Sequence, residues 1–117
     1  MTEREMARTL YAEIVEGNLA EYRRILAEAV TTPPRDSYWR KVVELYKSLP
    51  DERKEDFVAI FRQVTVDAVS SVTGVLDGTI QLAGNFQPLS LVDSAGTRLN
   101  GMLQDHFLAR DEETRAR

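Results

Sequence analysis

Thr79-Ile80-Gln81-Leu82-Ala83-Gly84-Asn85-Phe86-Gln87-Pro88-Leu89-Ser90-Leu91-Val92 is the stretch on which the fold class turns. Apolar and polar side chains alternate through Thr79–Ala83, Gly84-Asn85 has the composition of a two-residue hairpin turn, and Phe86 to Val92 reads as a second strand with Leu89 and Leu91 on one face. Pro88 cannot donate to a ladder and suits an edge or a bulge. Asp93-Ser94-Ala95-Gly96 reads as a second turn in which Gly96 supplies a positive φ, leaving Thr97-Arg98-Leu99 as a short third strand. The spacing predicts an antiparallel hairpin or a three-stranded meander.

On both sides of this stretch the period is helical. Upstream, the acidic start Asp51-Glu52 opens a helix expected to reach about Thr73 and stop at Gly74. Its apolar arc takes in Phe57, Ile60, Phe61, Val64, Ala68, Val69 and Val72, wide enough for a central helix, with Phe61 and Val64 as core positions. Downstream, Asn100 caps a last helix, or the helix starts at Thr97; Met102, Leu103, His106, Phe107 and Arg110 share one side, and residues 111–117 have no apolar anchor and are expected to fray.

Further toward the N-terminus, Asp36 or Ser37 caps a helix whose stripe is Trp39, Val42, Val43, Tyr46 and Leu49, ended by Pro50. Thr31-Thr32-Pro33-Pro34 is a linker, because proline lacks the amide hydrogen and restricts its predecessor. Thr2 and Glu5 form a capping box for a first amphipathic helix, and Gly17-Asn18 predicts a kink or short break within residues 3–30. The whole is a mostly helical α+β fold: about four helical segments, with the hairpin or meander between the third and the last. One domain over 1–117 is expected at this length.

The 117 residues carry 15 Lys and Arg against 19 Asp and Glu, a net charge of -4, and no cysteine. Thiolate metal sites and cysteine nucleophiles are excluded, and the acidic balance argues against a protein that grips phosphate backbones. The polar, acidic start lacks the pattern of a signal peptide, and no run is apolar enough for a membrane span, so a cytoplasmic protein is expected.

His106 is the only histidine, and no ligand-spaced partner lies one turn from it, so it reads as a residue at the margin of the core, with a ring nitrogen satisfied by a neighbour. Asp67, Asp77 and Asp105 are the carboxylates nearest to apolar elements; two of them brought close could split their pKa values for acid–base work. Ser70-Ser71 has no elbow glycines, and the glycines never gather into a phosphate-cradling loop. Arg35, Tyr38, Arg40, Lys41 and Lys47, with Trp39 and Tyr46, form an aromatic and basic cluster of the kind that suits single-stranded nucleic acid or an acidic partner, the first disfavoured by net charge, while Trp39 also shares its stripe with core positions.

Two functions follow. The first is a non-enzymatic protein–protein interaction module, a small bacterial-type accessory, regulatory or immunity protein that needs no cofactor. It docks another protein through Arg35, Tyr38, Arg40, Lys41 and Lys47, and homo-oligomerisation is compatible with it. The second is a small enzyme built on Asp67, Asp77, Asp105 and His106, with Mg²⁺ as the cation such carboxylates would hold.

Overall fold

The computed structural model describes residues 1–84 and 88–116. They form α1 (Glu3–Leu10), a π-helical segment (Tyr11–Glu16), α2 (Gly17–Glu28), α3 (Ser37–Ser48), α4 (Asp51–Asp77) and α5 (Leu103–Arg115). The capping box at Thr2 is present, Glu5 N donating to Thr2 Oγ1 at 3.1 Å and Thr2 N to Glu5 Oε2 at 3.0 Å.

From Glu3 to Glu28 the chain is one uninterrupted helix, and Gly17 has helical dihedrals (φ -64, ψ -47) rather than ending it. The expected break is replaced by a change of winding. Side chains spaced by four drift by about 40° per step on an α-helix. The wider π turn offsets that drift, so Ala7, Tyr11 and Val15 stay on one buried line.

Asp36 caps α3, accepting from Tyr38 N at 2.8 Å and Trp39 N at 3.2 Å. The next helix, α4, does not stop at Gly74. A Cβ there would lie 2.7 Å from both Gln104 Nε2 and Ile80 Cδ1, so glycine serves the close approach of its neighbours. The helix ends instead at Gly78, whose φ of 82 is the left-handed cap, with Thr79 N and Ile80 N donating to Gly74 O at 2.9 and 3.1 Å.

Two hydrophobic clusters are strung along α4. Val66 joins Ala7, Tyr11, Val15, Leu103 and Phe107 in one. Val58 joins Leu26, Ala29 and Val43 in the other, between α2, α3 and the start of α4. The molecule is elongated, 49 × 34 × 26 Å with a radius of gyration of 17.6 Å.

The α+β expectation is overturned. The described residues are all-helical in class, with 69% helix and no sheet. Among the described residues the only pairing is an isolated antiparallel bridge between Val92 and Arg98. The second turn forms, Asp93 Oδ1 accepting from Ala95 N and Thr97 N at 2.9 Å each with Gly96 at φ 83, yet no ladder grows from it. The reason is Asn100. Its buried amide accepts from Leu91 N at 3.0 Å and donates to Leu89 O at 2.9 Å and to Leu76 O, filling the backbone groups that a neighbouring strand would have paired. The Gly84-Asn85 turn and the start of the strand at Phe86 fall partly on residues 85–87, outside the described residues. The frayed tail is also corrected: α5 is helical to Arg115 and Asp111 is buried.

Candidate functional site

Of the four polar residues of the enzyme reading, Asp77, Asp105 and His106 lie around the start of α5 and Asp67 lies on α4. Asp67 is exposed on α4 and accepts from Gln63 Nε2 at 2.9 Å. Asp77 caps the last helix, taking Gly101 N on Oδ1 at 2.6 Å and Gln104 N on Oδ2 at 2.7 Å, and Glu3 Oε1 takes Met102 N beside it at 2.6 Å. Asp105 is exposed in the first turn of α5. His106 is half-buried there, between buried Leu103 and Phe107 in the helix. No group of three or more His, Asp or Glu among the described residues is placed to hold a metal ion.

In the basic cluster, two cations are tied to backbone carbonyls that precede α3. Arg40 Nε donates to Pro34 O at 2.8 Å and Lys47 Nζ to Ala29 O at 2.9 Å, which fastens α3 to the chain before it. Arg35, Tyr38 and Lys41 are exposed. Trp39 is half-buried at 5.7 Å from Tyr22, with the Tyr38 ring edge-on to it at 5.7 Å.

A buried polar group escaped the sequence reading. Asp111 accepts from Tyr11 OH at 2.9 Å and pairs with Arg62 Nη2 and Arg115 Nε at 3.0 Å each, while Arg62 also bonds the Tyr11 hydroxyl. Burial, and then the bond to Asp111, push the Tyr11 phenol above its ordinary pKa. The group joins the π segment, α4 and α5, and Tyr11 packs on Phe107 at 5.5 Å.

One open feature among the described residues is apolar. Between the first long helix and α4 runs a groove of about 410 Å³ whose walls are Met6, Leu10 and Ile14 on one side and Ala68, Val72 and Leu76 on the other. Earlier along α4, a second hollow of about 370 Å³ is lined by Tyr22, Tyr38 and Trp39 with Ile60 and Val64. The lip on α4 is a ridge of every fourth residue, Ile60, Val64, Ala68 and Val72, whose three large members are 60, 61 and 61% exposed. None of Asp67, Asp77, Asp105 and His106 lines either hollow.

No known protein family, curated protein or solved structure matches this chain. The groove is therefore read from its own chemistry. No ionisable side chain lines it, and the Thr73 hydroxyl is already donated to Val69 O and Ser70 O at 3.0 Å each. Sites for small molecules present a few converging polar groups that fix orientation. This surface presents apolar side chains instead. Its signal was present in the sequence as the depletion of charge after Arg62, where Asp67 alone precedes Asp77. By spacing alone the same arc reads as core.

Proposed function

We propose that this chain is a non-enzymatic docking module, an accessory or regulatory protein whose groove takes an apolar helix of a protein partner. The observation that carries the reading is the ridge Ile60, Val64 and Val72, large side chains left more than half exposed along the central helix. Scattered exposed apolar residues are ordinary, whereas a contiguous row marks an interaction surface. Helix-in-groove recognition uses anchors at this spacing. Tyr38 belongs both to the basic cluster and to the aromatic hollow, so Arg35 and Lys41 stand where they would steer an acidic partner toward it.

The test is a photo-crosslinking amino acid placed at Val64 or Val72, with exposed Glu112 on α5 as the control position, in cells producing the protein. Val64 and Val72 are expected to yield one discrete protein adduct that Glu112 does not, and Ile60→Lys is expected to abolish it. The same pattern from all three positions, or no adduct from the groove, overturns the proposal.

A further inference from the structure

We infer that the occupant of the groove is a second copy of this chain, packed two-fold symmetrically with the α4 ridges crossing at Ala68. The inference rests on the docking reading above and names its partner.

Area is the first argument. One chain of 13.3 kDa exposes 7961 Å², whereas a folded monomer of that mass exposes about 6,500 Å². The excess is about 1,500 Å² per chain, more than the roughly 800 Å² that each partner contributes to an interface of standard size. The radius of gyration agrees: 17.6 Å against about 13 Å for a compact chain of this length.

Shape is the second. A row of every fourth residue is the ridge that packs against its own kind, two such rows interdigitating at about -50° with the helix axes 8–10 Å apart. Two-fold interfaces require a self-complementary patch. The row has large residues, Val64 and Val72, on either side of small Ala68, so two copies running in opposite directions set Val64 of each beside Val72 of the other and approach most closely at Ala68. The aromatic hollow at one end and the Met6, Leu10 and Ile14 wall at the other then flank the partner's ridge.

Chemistry is the third. Arg62 is turned inward to Asp111, Asp67 lies off the ridge against Gln63, and Thr65 and Ser71 donate their hydroxyls to Phe61 O and Asp67 O at 2.8 and 2.9 Å. The ridge thus loses little hydration when it is covered.

Because the chain has no cysteine, single-cysteine variants report the geometry directly. Sedimentation equilibrium of the full chain over roughly 1–100 µM, the range in which a standard interface assembles, is expected to give twice 13.3 kDa. Val64→Lys alters an exposed position, so circular dichroism should be unchanged while self-association weakens about 30-fold or more, as for a central interface residue. Ala68→Cys should form a disulfide-linked dimer on oxidation, since a residue near a two-fold axis meets its own copy within the Cα separation a disulfide spans; Glu112→Cys should not. A wild-type chain that stays monomeric at the highest concentration overturns the inference. So does a dimer indifferent to Val64→Lys in which Ala68→Cys does not link. If the chain is monomeric while Val64 crosslinks to a different protein, self-association fails and the docking reading stands; if neither occurs, both fail.

Discussion

Asp111 is 3% exposed and serves three donors, from Tyr11, Arg62 and Arg115, which makes it the most consequential single side chain in the molecule. Removing one partner of a buried ion pair leaves an uncompensated charge and costs about 3–5 kcal/mol. Asp111→Ala is therefore expected to lower the urea midpoint sharply, and a midpoint within error of wild type would show that Arg62 finds water instead. Tyr11 gives a second prediction. Its folded pKa is raised above the 10.0 of a free tyrosine, so its contribution to stability is complete below pH 10 and is lost as pH rises from there through the folded value. Melting temperatures of wild type should fall along that limb, and Tyr11→Phe should flatten it while costing about 1 kcal/mol at neutral pH through the lost hydrogen bond. None of this was legible in the sequence. Asp111 and Tyr11 are 100 residues apart, and a polar anchor leaves no periodic trace. The caps at Thr2 and Asp36 and the turn at Gly96 were legible because their partners lie within a few residues.

At the scale of elements, the wide apolar arc of α4 was readable, but its phase was not. An arc spanning half a helix can turn either edge inward, and the choice is made by neighbours far away in sequence. Here Val58 and Val66 face the two clusters, Phe57 and Phe61 pack beside them, and Ile60, Val64 and Val72 look out. This reverses the expectation for Val64. Val66→Ala should destabilise the fold by about 2 kcal/mol, two methyl groups and the space they leave. Val64→Ala should shift stability by no more than about 0.5 kcal/mol, measured at a concentration low enough to keep any assembly apart. Equal denaturation midpoints for the two variants would reject the observed phase. The misread segment after α4 has a related cause. Alternation in Thr79–Ala83 and Leu89–Leu91 is a true local pattern, but a strand also needs a partner, and the side chain of Asn100 took that place. The candidate carboxylates fared similarly: Asp77 is important, as the cap of α5, for a reason that spacing could not reveal.

At the scale of the whole molecule, the two clusters differ in kind. The one around Val66 holds three fully buried large side chains, Tyr11, Leu103 and Phe107, locked by the Asp111 group, whereas the one around Val58 has Leu26 as its largest buried member. The helix they share spans both, yet α3 meets only the weaker one. Cooperative units of unequal strength open separately, and backbone amides report each opening by their exchange with deuterated water. In α3, amides should therefore exchange at least about tenfold faster than those of α5, through an opening that leaves α5 closed, and Val43→Ala should accelerate the first set alone. A single common exchange rate across α3 and α5 would mean one unit instead. If the rates do separate, the spine of α4 acts as a hinge pin between a stiff end and a soft one. The soft end is then where a protease would make its first cut, at the exposed Thr31–Pro33 connection.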